Sequence, residues 1–376
     1  MLTAQGCLTR QQRLRRRLAA QDLDAALLTH PLEIYYFTGI LLPTDFELPA
    51  CLYLATKGSS WLVACTDEGA QCVDHCHTYP FQVGATMSPD PLAQMTQVAA
   101  DRLSGEKGIK RLACQAESLP WHLARTATDQ LAGVELVAID DILADLQKRK
   151  DEDEVALIRR AIAADLAAYT AAQRVIAPGV NELEVLAAAR QGACLAAGEK
   201  VFHDGDYQCG EMGGFARDRT IEAGELYVID AWTTYRGYWA DLCRTFSVDG
   251  NPTDLQQSIF DHIKAFHQQI PTYLQAGKDG SECFLAMDTH IRQHPALADE
   301  GIVHHAGHNA GLRAHQMPDL NRERGGTLEV GNIVSVEPGG YTAQARLGVR
   351  LENMYLITEH GPKNLSDYPM ELIVGK

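Results

Sequence analysis

The sequence predicts an α/β domain over residues 1–147 followed by an α+β domain over residues 148–376. Three observations lead there. The first part alternates short apolar β-type runs with stretches of helical spacing, the pattern of an α/β domain. The second part reads helix, helix, hairpin, and then helix, helix, hairpin again. Between them, residues 148–154 (KRKDEDE) are a charge run opening a long Ala- and Leu-rich stretch of helical spacing. A chain of 376 residues is long for one core and suits two.

Taken in order, residues 9–28 read as a helix and then a buried strand at Ala25-Ala26-Leu27-Leu28. The Arg-rich run at 10–17 (RQQRLRRR) is assigned to that amphipathic helix rather than to a presequence. Residues 33–39 (EIYYFTG) end in a glycine turn. The runs CLYLAT (51–56) and SWLVAC (60–65), split by Lys57-Gly58-Ser59, read as a hairpin. Residues 91–103 have helical spacing, 111–114 and 134–139 are strands, and 142–147 form a short helix. The charge run is expected to be the solvated start of a helix continuing through 155–176, which Pro178-Gly179 breaks. Asn181 caps the next helix, with Glu184 in capping-box position, and this helix runs to about Ala197. A hairpin follows at 226–246, then helices around 255–275 and 281–294, and a second hairpin at 332–357.

Composition narrows the function. A hydrophobic fraction of 46% and a charged fraction of 22% are ordinary for a soluble globular protein. A net charge of −16 argues against a nucleic-acid partner. The absence of an apolar run of about 18 residues argues against a membrane partner, and the N-terminus lacks the pattern of a signal peptide. Ten scattered cysteines without CxxC spacing suit a reducing compartment, so a cytoplasmic location is expected. The run Cys72-Val-Asp-His75-Cys76-His77 lacks a distant second half for a zinc site and is read as coincidence.

The chemistry lies in the two hairpins. The first, LYVIDAWTTYRGYWADLCRTF, carries Asp230 and Asp241 and turns at Arg236-Gly237. The second, NIVSVEPGGYTAQARLGVRLENMYLI, carries Glu337 and Glu352, with its turn expected at Pro338-Gly339-Gly340. Cross-strand side chains on one face lie about 5 Å apart. Carboxylates that close raise one another's pKa unless a cation lies between them. Four such acids with His308 make an oxygen-rich donor set for manganese, cobalt, iron or zinc. Two ions about 3.5–4 Å apart can share a water and lower its pKa towards neutral.

These blocks resemble the pita-bread metallopeptidase superfamily, which includes Xaa-Pro dipeptidase (prolidase), aminopeptidase P, methionine aminopeptidase and creatinase. The resemblance covers nearly the whole chain. DAALLTHPLEIYYFTG resembles the creatinase/prolidase N-terminal domain, LQKRKDEDEVALIRRA its linker helix, and NLSDYPMEL the closing stretch. It implies that Asp230 chelates one of two divalent ions and that Asp241 and Glu352 bridge both. It implies that His308 and Glu337 bind the second ion, that Glu337 also moves protons, and that Arg350 holds a ligand in place. Manganese is the expected metal. His315 matches a later histidine of the family and is expected to steady the oxyanion. A homodimer is also implied.

The substrate half departs from the family. Its members carry a further histidine before the first Asp ligand, and ungapped counting back from Asp230 lands on Gly213. Asn309 follows His308 where the family block reads HGxG, and Gln316 stands where a Glu usually follows the later histidine. Gly213, Asn309, Gln316 and His203 are therefore expected to shape the substrate pocket. His203, Tyr207, His304 and His305 are the nearby groups that could replace the missing imidazole, with Gly213-Gly214 leaving space or bringing backbone close to a ligand. The reading is a dinuclear metal-dependent hydrolase of a C–N bond acting on a small peptide or amide, with Glu337 and His315 catalytic. The alternatives are a non-peptidase metalloenzyme, amidinohydrolase- or lyase-like, and a metal-free binding module on the same fold.

Overall fold

A computed structural model describes residues 1–42 and 48–373. The chain divides into two compact units, Met1–Gln147 and Lys148–Lys376.

In the first unit the apolar runs become a mixed six-stranded sheet. Its strands are β1 (Ala25–Leu28), β2 (Cys51–Ala55), β3 (Ser60–Ala64), β4 (His75–Thr78), β5 (Arg111–Cys114) and β6 (Glu135–Ala138). Their spatial order is β4-β3-β2-β1-β5-β6, with β1 antiparallel to β2 and parallel to β5. β1, β2 and β3 are buried throughout, as continuous apolar runs require. Helix α1 (Ala4–Ala20) starts at Thr3, whose hydroxyl accepts the Gly6 N–H, and buries Leu14 and Leu18. Its arginines brace the unit: Arg10 is fully buried and donates to the Tyr36 carbonyl at 2.9 Å, and Arg15 donates to the Gly58 carbonyl at 3.0 Å. Helix α2 (Pro31–Thr38) ends at Gly39, whose φ of 77° is the left-handed cap that glycine tolerates. Helices α3 (Pro91–Leu103), α4 (Trp121–Gln130) and α5 (Asp140–Gln147) complete the unit.

The second unit opens on α6 (Glu152–Gln173), and here the structure corrects the charge run. The helix starts only at Glu152, behind the N-cap Asp151, and Lys150 is buried rather than solvated. Its Nζ donates to Asn309 Oδ1, Gln316 Oε1 and the Lys148 carbonyl at 2.8, 3.0 and 3.0 Å. Helix α7 (Glu182–Ala197) begins with the Asn181/Glu184 capping box and ends at left-handed Gly198.

Helix α6 packs beneath a three-stranded antiparallel sheet of β7 (Phe202–Asp206), β8 (Leu226–Tyr235) and β9 (Tyr238–Ser247), in the order β9-β8-β7. Arg236 (φ 48°) and Gly237 (φ 83°) form a two-residue hairpin turn, the geometry that matches strand twist. Tyr169 of α6 fixes the sheet from below, its hydroxyl donating to the Ile229 and Leu242 carbonyls and accepting the Ala231 N–H.

The remaining strands are β10 (Gly307–Asn309), β11 (Gln316–Leu320), β12 (Ile333–Val336), β13 (Gly339–Thr342), β14 (Leu347–Arg350), β15 (Asn353–Thr358) and β16 (Gly361–Asn364). They form a five-stranded sheet, β11-β10-β12-β15-β16, and the pair β13-β14. Helices α8 (Asp254–Phe266) and α9 (Gly280–Ile291) build an apolar core against these strands through Ile259, Ile263, Met287, Val334 and Val349. The expected turn at Pro338-Gly339-Gly340 is not a turn. The chain runs on into β13 and reverses only at 342–347, where Arg346 and Leu347 have positive φ. No helix among the described residues is long and apolar enough to cross a membrane.

Candidate metal centre

Strand parity places the first two acids. Asp230 lies opposite Cys243 and Asp206, while Asp241 lies opposite Trp232. Directly opposed residues share a face, so Asp206, Asp230, Trp232 and Asp241 all project from one side of the sheet. The two aspartates are diagonal neighbours rather than a directly facing pair, and Asp230 sits mid-strand.

The second hairpin keeps one register across its break, from Val336 opposite Asn353 to Gly339 opposite Arg350, which leaves Glu337 opposite Glu352. At the break both backbones bond to other strands. The Glu337 N–H donates to the Ala306 carbonyl at 3.0 Å, and the Glu352 N–H donates to the Cys243 carbonyl at 2.9 Å. Cys243 is the residue opposite Asp230, so this bond joins the two hairpins at the acids.

The result is one cluster, buried except for His315. Asp230, Asp241 and Glu352 offer oxygens within 4.8 Å of one another, as do the donors of His308, Glu337 and Glu352, and of Asp241, His308 and His315. His308 Nε2 lies 3.5 Å from Asp241 Oδ2, and its ring stacks on His315 with centroids 3.6 Å apart. Arg350 Nη2 reaches Asp230 Oδ2 at 2.7 Å and Asp206 Oδ2 at 2.8 Å. Ser335 Oγ donates to Glu352 Oε1.

The charges ask for a cation. Burial and then repulsion from Glu337 and Asp206 push Asp230 up to about 7, although Arg350 opposes this. Burial and then the charge of Asp230 raise Asp241 and Glu352 far above the usual carboxylate range. Glu337 differs. Burial would raise it, but the imidazole of His305, followed by His304 and His308, outweighs burial and holds it at about 2. Among the described residues Asp230 Oδ1 and Glu352 Oε2 are buried without a hydrogen-bond partner. Unpaired buried oxygens of this kind are costly in a dry site and are what a metal ion would occupy. Four carboxylates and an imidazole therefore fit divalent ions of the manganese-to-zinc range.

A cavity of about 420 Å³ opens over the cluster. All five residues expected as ligands line it, with His315 and Arg350. The four residues expected to shape the substrate pocket do not. His203 is on the opposite face of β7, across from Thr233, pointing at α6. There Tyr207 donates to its Nε2 at 2.8 Å, its Nδ1 donates to Thr233 Oγ1 at 2.7 Å, and Thr233 donates to Asp165 at 2.6 Å. Gly213 packs behind Asp206: the Gly214 N–H donates to Asp206 Oδ1 at 2.7 Å, and a Cβ at Gly213 would overlap Asp206 Oδ2. The two glycines thus bring backbone onto a carboxylate and leave no empty space. Asn309 is fully buried and, with Gln316, bonds Lys150.

Sequence reasoning missed Asp206, Trp232, Trp239 and Ala314 of the lining, and had His304 and His305 only by position. Trp232 and Trp239 were within reach, because two-residue spacing from Asp230 and Asp241 puts them on the acid face. Asp206 was not, since FHDGD lacks the apolar alternation of a strand.

His203→Leu is expected to cost about 2–3 kcal/mol of stability, through its two buried hydrogen bonds, and to leave metal stoichiometry unchanged. Metal analysis and thermal melts check this. Lost metal with an unchanged melting temperature would return His203 to the site.

Residues 156–359, more than half of the chain, match the model of metallopeptidase family M24. The chain belongs to metallopeptidase family M24. Residues 10–147 match the creatinase/prolidase N-terminal domain. The M24 member therefore has the creatinase-type N-terminal fold followed by the pita-bread catalytic fold. By family it is a dinuclear metal-dependent hydrolase of a peptide bond, with divalent ions as cofactors. Its relatives include an Xaa-Pro dipeptidase of Pyrococcus horikoshii, 30% identical over 71% of this chain and 76% of that one. They also include an uncharacterized peptidase, YqhT, of Bacillus subtilis, 26% identical over 96% and 99%. Among solved structures, the prolidase of P. horikoshii OT3 superimposes with a TM-score of 0.78 at 24% identity, covering 97% of this chain and 100% of that one. An X-Pro aminopeptidase of Thermotoga maritima gives 0.78 at 22% identity over 97% and 99%. These two structural likenesses bear on the fold.

Proposed function

We propose that this M24 hydrolase acts as an Xaa-Pro dipeptidase- or aminopeptidase-like enzyme on small peptides, with two manganese ions held by Asp230, Asp241, His308, Glu337 and Glu352. The observation that carries this reading is the convergence of those donors in one cavity, where two buried carboxylate oxygens have no partner. Divalent ions bound there supply Lewis acidity and a water of lowered pKa. The chain's own groups do the rest. Arg350 orients Asp230 through its 2.7 Å contact. Glu337 takes a proton from the nucleophile on a carboxylate oxygen and returns it to the leaving nitrogen. His305 Nδ1, 3.1 Å from Glu337 Oε1, keeps that carboxylate ionised between transfers. His315 is exposed at the mouth of the cavity, stacked on His308, and donates to the carbonyl oxygen as negative charge develops there.

The Xaa-Pro dipeptidases among its relatives support the substrate class. The protein is further proposed to be a cytoplasmic homodimer, which light scattering would check. The test is metal-loaded protein, prepared separately with manganese, cobalt, iron and zinc, against a panel of Xaa-Pro dipeptides. Turnover fastest with manganese is expected, and no hydrolysis with any ion would sink the dipeptidase reading. A second reading, a non-peptidase hydrolase of a small amide, is favoured by one observation: Gly213 stands behind the Asp206 carboxylate, and it is this carboxylate rather than an imidazole that faces the cavity there. A metabolite screen in which only peptides are consumed would end it.

A further inference from the structure

The acid face of the three-stranded sheet does not stop at the acids. One register step beyond the row of Asp204, Trp232 and Asp241 comes the row of Phe202, Thr234 and Trp239. Both indoles line the cavity beside the carboxylates. Each is flanked by a further ring: Phe215 meets Trp232 edge-on with centroids 6.5 Å apart, and Phe202 meets Trp239 at 6.0 Å. Phe215 is 67% exposed and Phe202 53% exposed, so the four rings run from the metal-side wall out to solvent. Asp204, the acid in their midst, is turned to Arg190 at 2.8 Å. Exposed aromatic surface of this extent beside a concave site marks a binding surface.

We propose that Trp232 and Trp239, extended by Phe202 and Phe215, form a specificity wall for a bulky apolar side chain on the residue preceding the scissile bond. The inference rests on the peptide-hydrolase reading of the site and adds its substrate class: peptides with an aromatic or large aliphatic residue at that position. The wall shares its strands with Asp230 and Asp241, so a peptide whose carbonyl lies at the acids has a neighbouring side chain within reach of the indoles. The wall is open at its outer end, which suits side chains of different length. Burying one such side chain is worth roughly 10- to 100-fold in affinity or rate.

The test compares Phe-Pro and Gly-Pro on manganese-loaded protein, by kcat/KM and by calorimetric binding, for wild type, W239A, W239F and W232L. Phe-Pro is expected to be favoured at least about tenfold. That ratio should fall towards one in W239A and W232L and persist in W239F, which retains a ring. If neither dipeptide is hydrolysed but Phe-Pro still binds more tightly in a Trp-dependent way, the dipeptidase reading fails and the wall stands. Equal affinity and equal kcat/KM for the two dipeptides in wild type overturns the wall. So does a ratio untouched by the variants, binding of neither dipeptide, or a W239A variant that changes only the oligomeric mass, which would assign the rings to contact with a second copy.

Discussion

Asp241→Asn is expected to lower kcat/KM by at least about 10³-fold, because several kcal/mol of metal-derived stabilisation would go and each 1.36 kcal/mol is a factor of ten. Asp241 is singled out because its carboxylate belongs to both donor groups that flank the cavity floor, one with Asp230 and Glu352 and one with His308 and His315. Losing its charge removes the one aspartate that connects them. The effect on the metal-free protein has the opposite sign. Burial and repulsion from Asp230 and Glu337 make the Asp241 carboxylate unfavourable without a cation, so the amide relieves the apo fold. Chelator should therefore depress the melting temperature less in the variant than in wild type. Metal content by mass spectrometry, paired melts with and without chelator, and dipeptide kinetics read all three effects. A variant that keeps two ions and wild-type turnover would remove Asp241 from the centre.

Asn309→Ala is expected to destabilise the second unit by about 3 kcal/mol or more, a fall in melting temperature on the order of 6–12 °C. Asn309 is fully buried and spends its side chain on four bonds. Its Oδ1 accepts from the Ile333 N–H at 3.0 Å and from Lys150 Nζ at 2.8 Å, and its Nδ2 donates to the Lys148 and Met317 carbonyls at 3.0 and 2.8 Å. Alanine would take the Ile333 N–H and the Met317 carbonyl from their partner, while Lys150 and the Lys148 carbonyl keep other bonds. The same residue sits where the register between β10 and β11 shifts, immediately after His308. A loosened Asn309 therefore displaces an imidazole of the centre, and kcat should fall while KM for a dipeptide changes little. An unchanged melting temperature with a raised KM would restore Asn309 to the substrate pocket, where its sequence neighbourhood had suggested it belonged.

The contrast between these two residues shows where sequence reasoning worked. Asp241 could be found because it sits in a strand whose apolar alternation and Arg-Gly turn reveal its partners. The second hairpin was legible in its acids and not in its turn, because Pro338-Gly339-Gly340 carries turn chemistry while the backbone continues as a strand. Asn309, Gln316 and His203 fall outside the cavity lining for another reason. Motif position says which residues are near the centre in sequence, and only strand parity says on which side of the backbone each one falls. His203 and Asp206 are three residues apart on β7 and so face opposite ways, one into the packing against α6 and one into the cavity. The buried Lys150 was hidden for a related reason, since a charge run has no periodicity to mark which members turn inward, here Lys150 to three oxygen acceptors and Glu154.

By itself the sequence determined the long helices, the two acid-bearing hairpins, the family blocks and the five donor types, because hydrophobic period, caps and turn residues act over a few neighbours. Tertiary structure decided which donors meet, through the bond from Glu352 to the Cys243 carbonyl that joins two distant hairpins. It also decided that two indoles, four imidazoles and Asp206 line the cavity together with the acids. Those placements depend on register and packing between segments far apart in the chain, and no local pattern encodes them.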